Sequence, residues 1–246
     1  MIQSDTDKAV ICRFPISIND LQGNYERIID CIAKDKGGWV VTLNLEMIYR
    51  AKTDEQYRSL LHKADFFIAD GVPLLWASNL KKNTKRIAGR SNGTDLVEKL
   101  LTSGRQFRLG VIGGRNPGLV VNKYNPELVN EAYFYDGLVN IDDKKLINDL
   151  IIKLKENRIN LLFLGLGVPK QDELALKICN HIDSIVVIGV GGSFDLLSGR
   201  KPRAPKWMQE NGLEWLYRLL TEPKRLAKRY LIHYPQALYF LVRDII

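Results

Sequence analysis

The chain is poor in the residues that staple or metallate small proteins. Its 246 residues hold three cysteines (Cys12, Cys31, Cys179) and three histidines, all scattered and none in a Cys-x-x-Cys pair. A disulfide framework and a thiolate or imidazole zinc site are therefore disfavoured, and the pattern reads as a reduced, cytosolic protein. Long apolar runs are missing too. The longest late stretch without Lys, Arg, Asp or Glu covers residues 230–242 and is interrupted by Pro235, short of the roughly 20 residues a membrane span needs. The N-terminus, with Asp5 and Asp7, lacks the basic start and apolar run of a signal peptide. No turn spells Gly-x-x-x-x-Gly-Lys-Ser/Thr or Gly-x-Gly-x-x-Gly, which disfavours a kinase-like NTPase or an ordinary dehydrogenase. The Asp-x-Asp at Asp5-Thr6-Asp7 sits in a polar tail. Paired aspartates holding a metal on a diphosphate have no other home, so neither metal nor cofactor is expected.

What is present is ordinary globular composition with an uneven charge. The formal net charge is +8, with 46% hydrophobic and 26% charged residues. Residues 199–246 carry ten of the bases and four of the acids, so six of the eight net charges lie in the last fifth of the chain. An anionic partner is expected to meet the C-terminus.

Apolar runs of strand length alternate with amphipathic stretches. Strands are expected at 10–18, 39–43, 66–69, 107–112, 132–135, 160–164 and 185–190. Runs such as Leu161-Leu162-Phe163-Leu164 suit parallel strands covered on both faces. Helix starts are marked by Thr53-x-x-Gln56, which resembles a capping box, and by Asn116-Pro117. Apolar positions 146, 147, 150, 151 and 154 define one helical face. The alternation implies a doubly wound, Rossmann-like α/β core over residues 1–198. Residues 198–205, with two prolines and three bases, read as an exposed basic connector to a helical appendage over 199–246. Helices are expected at 205–212 and 213–220, and another from Pro223 that bends or stops around Pro235.

In open α/β sheets ligands bind beyond the carboxyl ends of the strands. Small and polar residues gather there: Thr42, Asn44 and Glu46; Asp70-Gly71-Val72-Pro73; Gly113-Gly114-Arg115; Gly165 to Gln171; Gly191-Gly192-Ser193-Phe194-Asp195. Three glycine-rich turns on one sheet edge favour backbone amides facing a nucleotide or sugar-nucleotide, although each turn alone is ordinary turn geometry. Asp70 has two readings, a cap for the helix over 72–80 and a partly desolvated general base. Asn44 is either a helix cap or a cleft residue, Gln171 either a cleft residue or an exposed first-turn residue, and Asp95 a helix-start residue.

Several patterns coincide in order along nearly the whole chain: Thr42-Leu-Asn44-Leu-Glu46-Met47, Ala69-Asp70-Gly71-Val-Pro73-Leu-Leu-Trp76-Ala77, Arg86-Ile-Ala-Gly89, Gly93-Thr-Asp95-Leu96, Gly165-Leu-Gly167-Val-Pro169-Lys-Gln171, Gly189-Val-Gly191-Gly192-Ser-Phe-Asp195, and Arg203-Ala-Pro205-Lys-Trp207 through Gly212-Leu-Glu214-Trp215. Together they resemble the WecG/TagA/CpsF glycosyltransferases of bacterial polysaccharide and teichoic-acid synthesis. The chain departs from the family at Leu45, where proline is frequent, and in its longer run from Arg90 to Thr94. The resemblance implies an inverting, metal-independent enzyme with a Rossmann-like core. It would transfer a sugar from a UDP-sugar, of N-acetylmannosamine type, to a saccharide on undecaprenyl diphosphate. UDP-glucose and UDP-N-acetylmannosaminuronic acid are the alternative donors. Asp70 matches the family's general base, Thr42 its donor-side threonine, and Asn44 and Gln171 polar cleft residues. Gly191, Gly192 and Asp195 fall near the expected uridine.

Elementary chemistry agrees. Inverting transfer needs one base for the acceptor hydroxyl, a role Asp70 can fill. Without a metal, the departing diphosphate must be met by backbone amides and cations. The glycine turns, including Gly113 and Gly114, supply the first, and the appendage supplies the second. Arg218, Arg225 and Arg229 share one face of a continuous helix, a spacing that a break near Pro223 would weaken. The appendage interleaves these bases with Trp207, Trp215, Tyr217, Tyr230, Tyr234, Tyr239 and Phe240, a mixture suited to an anionic lipid surface. Peripheral attachment through residues 213–246 to the inner face of the cell membrane is expected. A nucleic-acid partner is disfavoured by the lack of any such fold signature. A non-catalytic scaffold in an assembly complex is the remaining rival, and the oligomeric state, homo-oligomer included, is left open.

Overall fold

The computed structural model describes residues 7–246, so Asp5, Thr6 and the N-terminal start discussed above lie outside the described residues. The chain opens with β1 (Lys8–Ile11) and β2 (Phe14–Ser17), then runs α1 (Leu21–Ala33), β3 (Gly38–Leu43), α2 (Leu45–Thr53), α3 (Glu55–Leu61), β4 (Phe66–Ala69) and α4 (Val72–Leu80). Next come α5 (Gly93–Leu101), β5 (Leu109–Gly113), α6 (Pro117–Tyr124), α7 (Pro126–Val129), β6 (Tyr133–Tyr135), α8 (Lys144–Glu156), β7 (Leu161–Gly165), α9 (Lys170–Cys179) and β8 (Val186–Gly189). The chain ends with α10 (Ser193–Leu197), α11 (Lys206–Glu210), α12 (Glu214–Thr221), α13 (Pro223–Lys228), a π-helical turn (Arg229–His233) and α14 (Tyr234–Ile245).

The eight strands form one sheet in the order β1-β2-β4-β3-β8-β7-β5-β6, parallel throughout except for β1 against β2. This is the expected mostly parallel α/β architecture. Alternation along β3 explains why it must be central. Trp39, Val41 and Leu43 enter one apolar core with α2, α3, α4, α8, α9 and α14, while Val40 enters the other with α1, α5, α6 and α10. Side chains at period two bury both faces, so helices must cover both.

Three local expectations are corrected. Residues 10–18 are not one strand but a hairpin, because Cys12 and Arg13 both take positive φ (49° and 71°) and reverse the chain in two residues. No Asn-Gly or Asp-Gly announces that turn. The cap of α3 is Asp54, whose carboxylate accepts from the amides of Gln56 and Tyr57, whereas the Thr53 hydroxyl donates back to the Tyr49 carbonyl within α2. Pro235 neither stops nor breaks the last helix. The π turn before it takes up the irregularity that a proline's missing N–H and bulky ring impose on an α-helical ladder, and the helix continues to Ile245.

The appendage folds back onto the sheet. Ala237 and Leu241 of α14 are buried in the core against α2 and α4, and Asp244 accepts hydrogen bonds from the Cys12 amide (2.7 Å) and Lys81 Nζ (2.8 Å). The basic connector is clamped rather than free: Ala204 is buried, Arg203 pairs with Asp95 and Glu98, and Lys201 bridges Asp195 and Glu222.

Candidate active site

A cleft of about 540 Å³ opens over the carboxyl ends of β3, β4 and β8 and is roofed by the appendage. The core contributes Asn44, Asp70, Arg90, Asn92, Thr94 and Gly192; the appendage contributes Glu214, Trp215, Arg218, Arg229, Tyr230 and Tyr234.

Asp70 reaches this cleft because its backbone finishes the sheet while its side chain does nothing structural. Its amide donates to the Leu43 carbonyl at 2.8 Å, extending the β3–β4 ladder. Gly71 then takes φ 130°, a conformation that disfavours any side chain, and α4 starts with no side-chain cap. The capping reading of Asp70 is thereby removed. Its carboxylate accepts no hydrogen bond among the described residues. Burial pushes its pKa up to about 6 and Glu214 adds to the rise, while Arg218, Arg90 and Arg229 pull it down. A carboxylate with that value is ionised at neutral pH yet basic enough to take a proton.

Cations surround it without neutralising it directly. Arg218 donates to Glu214 at 2.9 Å, and Arg90 lies 3.6 Å from the same carboxylate and 3.7 Å from Asp95. Arg229 donates to the Tyr234 hydroxyl at 3.1 Å, with its guanidinium over the rings of Tyr230 and Tyr234. The Nε atoms of Arg218 and Arg229 are both buried with no hydrogen-bond partner among the described residues. Unpaired buried donors are costly; Arg229 Nε lies 3.9 Å from Glu46, and both arginines line the cleft, where their charge would meet an anion. Trp215, Tyr230 and Tyr234 pack as an aromatic wall, the two tyrosines edge to face at 4.7 Å.

The remaining expected residues divide into groups. Asn44 lines the cleft and also caps α2, accepting from the Met47 amide at 3.2 Å, so both of its readings hold. Thr42 does not line the cleft: it is buried, and its hydroxyl donates to the Gly189 carbonyl at 2.8 Å, tying β3 to β8. Gln171 is buried rather than exposed, and its Oε1 accepts from the Gly191 amide at 3.1 Å. Any Cβ at Gly189 would stand 2.7 Å from Gln171 Nε2, so that glycine is what lets the amide side chain under the turn.

Gly113 and Gly114 belong to a second zone. A Cβ on Gly165 would meet the Gly114 amide nitrogen at 3.0 Å and the Gly191 carbonyl at 3.3 Å, so the three glycine turns adjoin one another beside the cleft. Asp195 stands nearby with Oδ2 3.5 Å from Lys201 and Oδ1 buried and unpaired. Arg225 is the one member of the arginine trio that turns away. The chain breaks between α12 and α13, and Arg225 is exposed, chelating Glu222 at 2.7 and 2.8 Å. The shared helical face expected for all three is therefore absent, and only Arg218 and Arg229 converge.

Arg90, Glu214 and Trp76 line the cleft without having been assigned to it from the residue pattern, and Trp215, Tyr230 and Tyr234, expected among the lipid-facing aromatics, instead form the cleft wall, Tyr230 being buried. Arg90 ends a basic run just before the start of α5, and Glu214 is an acid inside a basic, aromatic stretch, the signals that could have found them.

The doubly wound sheet with a cleft over its strand ends, one unpaired carboxylate and converging arginines defines an α/β protein built to receive an anionic ligand. Comparison narrows that class. Residues 10–246 match the glycosyl transferase WecG/TagA/CpsF family, and the chain belongs to that family; it is a glycosyltransferase. A Bacillus subtilis relative is 32% identical over 195 residues, covering 77% of this chain and 73% of its own length. A Staphylococcus aureus relative is 28% identical over 195 residues, covering 77% and 74%. Both are named N-acetylglucosaminyldiphosphoundecaprenol N-acetyl-beta-D-mannosaminyltransferase.

Proposed function

We propose that the chain transfers an N-acetylmannosamine-type sugar from a UDP-sugar to an N-acetylglucosaminyl-diphosphoundecaprenol acceptor, with inversion at the anomeric carbon. The relatives' names support the acceptor and the sugar. The observation that carries the mechanism is Asp70, a cleft carboxylate without a hydrogen bond and with a pKa raised to about 6. Asp70 takes the proton of the acceptor hydroxyl as its oxygen bonds to the anomeric carbon. The bond from that carbon to the diphosphate breaks on the opposite side, and UDP leaves with the electron pair. Arg218 and Arg229, which line the cleft, hold diphosphate charge. The glycine turns at 113–114, 165–167 and 191–192 receive the nucleotide, with Gln171 holding the last of them and Thr42 fixing the β8 carbonyl beneath it.

Membrane contact fits the same geometry. Among the described residues no helix is long and apolar enough to cross a membrane. The appendage exposes Trp207, Leu220, Leu231, Ile232, Tyr239 and Val242 beside the exposed bases Lys224 and Lys228, and α4 adds Trp76 at the cleft rim and exposed Leu80. Such a surface seats on anionic headgroups and brings a lipid-linked acceptor to the cleft from the bilayer side.

The deciding experiment offers the purified chain UDP-N-acetylmannosamine, UDP-glucose and UDP-N-acetylmannosaminuronic acid with a synthetic polyprenyl-diphosphate-N-acetylglucosamine. The reading predicts product with the first; product from another donor alone moves the sugar assignment, and none with any donor defeats it.

A further inference from the structure

Glu46 is the most deeply buried acid beside the cleft, and nothing above gives it a task. It lies in the first turn of α2, its side chain 5% exposed. Its carboxylate meets three groups. Arg50 Nε, on the same helix, is 2.8 Å from Oε1; His233 Nδ1, on the π turn, is 2.8 Å from Oε2; Arg229 Nε, also on the π turn, is 3.9 Å from Oε2. The His233 ring lies flat on Tyr49 of α2, centroids 4.1 Å apart and planes 9° apart. A buried carboxylate is tolerated when it is paired and hydrogen-bonded, and here two of its three partners come from the appendage.

We propose, resting on the transferase reading above, that Glu46 and His233 form a latch whose role is to position Arg229 in the cleft. The far end of the appendage is fixed by Ala237 and Leu241 in the core and by Asp244 on Lys81 and the Cys12 amide. The latch acts at the opposite end of this stretch, at the only π-helical segment among the described residues. A π turn inserts an irregularity that redirects side chains and recurs at functional sites. Here it leaves Arg229, Tyr230 and Tyr234 lining the cleft and His233 against α2. The Nε of Arg229 has no hydrogen bond of its own and lies 3.9 Å from Glu46 Oε2, so its aim depends on that carboxylate, on the Tyr234 hydroxyl and on the backbone that His233 pins. Glu46 and His233 do not line the cleft themselves. They act through Arg229, and a loosened latch would leave the far end of α14 docked while the cationic wall drifts from Asp70.

The test uses the full chain with His233→Ala, His233→Asn and Glu46→Gln, read by amide hydrogen exchange and by steady-state transfer. For His233→Ala we expect exchange over residues 229–234 at least tenfold faster, with residues 240–245 unchanged. We expect kcat at least tenfold lower with the donor KM within twofold, and no further loss when Arg229→Ala is added. His233→Asn returns an N–H donor to Glu46 and should recover most of kcat; Glu46→Gln, which keeps the shape and an acceptor, should lie between. Wild-type exchange over 229–234 in His233→Ala would overturn the latch. Faster exchange with unchanged kcat would overturn the positioning role. A wild-type chain that transfers no sugar would defeat the transferase reading, and the exchange data would then judge the latch separately.

Discussion

The carboxyl edge of the sheet has two unlike halves. Beyond β5 and β7 the chain presents backbone: glycines at 113, 114, 165 and 167, packed so closely that a Cβ on Gly165 would collide with the neighbouring turn. Beyond β3 and β4 it presents charge: Asp70 ringed by Arg90, Arg218 and Arg229. The backbone half is built by the core alone, whereas the charged half draws the base from the core and two of its cations from the appendage. The difference teaches that the appendage is part of the cleft's electrostatics and not merely an anchor attached to it. It also gives the basic C-terminus a division of labour. Arg218 and Arg229 face inward and Arg203 clamps the core, while Lys224 and Lys228 are left to the surface.

The largest effect should come from the charged half. Asp70→Asn is expected to lower kcat about 10³-fold, within the range general bases contribute, while UDP binding, assigned to the backbone half, stays within twofold by calorimetry. Equal losses in both would merge the halves.

A smaller effect should come from Thr42, which serves the seam between them. Thr42→Val keeps the volume and deletes the hydroxyl donated to Gly189. Losing that buried bond is expected to cost about 1 kcal/mol of unfolding free energy and to weaken UDP binding several-fold through the turn after β8. A variant whose only change is in kcat would place Thr42 at the reacting atoms instead.

The smallest effect concerns pH and distinguishes chemistry from packing. Asp70 is raised to about 6 and Asp172, buried with its carboxylate accepting from the Tyr57 hydroxyl at 2.7 Å, to about 7, from ordinary values of 3.8. The folded protein therefore holds these protons more tightly than the unfolded chain, and their stabilising contribution declines as pH rises from about 4 to about 7. Between pH 7.5 and 5.5 the thermal midpoint should rise by a few degrees, chiefly through Asp172, while kcat/KM falls below pH about 6 as Asp70 protonates. Stability and activity falling together on acidification would contradict both assignments.

Much of this was legible from residue patterns, for identifiable reasons. Buried parallel strands advertise themselves as continuous apolar runs, and the stretch Leu161 to Leu164 fell where expected. Asp70 stood out because a carboxylate followed an apolar strand and preceded Gly-x-Pro. The β1–β2 hairpin did not, because Cys12 and Arg13 adopt positive φ under tertiary packing and without a turn residue's help. Which arginines converge was also hidden. A helical spacing of seven and four holds only while the helix is unbroken, and the break at Glu222–Pro223 sent Arg225 outward. Arg90 and Glu214 required the fold itself, since they are 124 positions apart and meet only when the appendage closes on the core.

The central claim, that the appendage supplies the cleft's working cations, is tested most directly by the Arg218→Ala/Arg229→Ala double variant of the full chain, assayed without any bilayer on a short, water-soluble diphosphate acceptor. A loss of kcat/KM of at least 100-fold is predicted, with Arg225→Ala within about threefold of wild type. Wild-type turnover by the double variant under those conditions would contradict the account and leave the appendage with a membrane role alone.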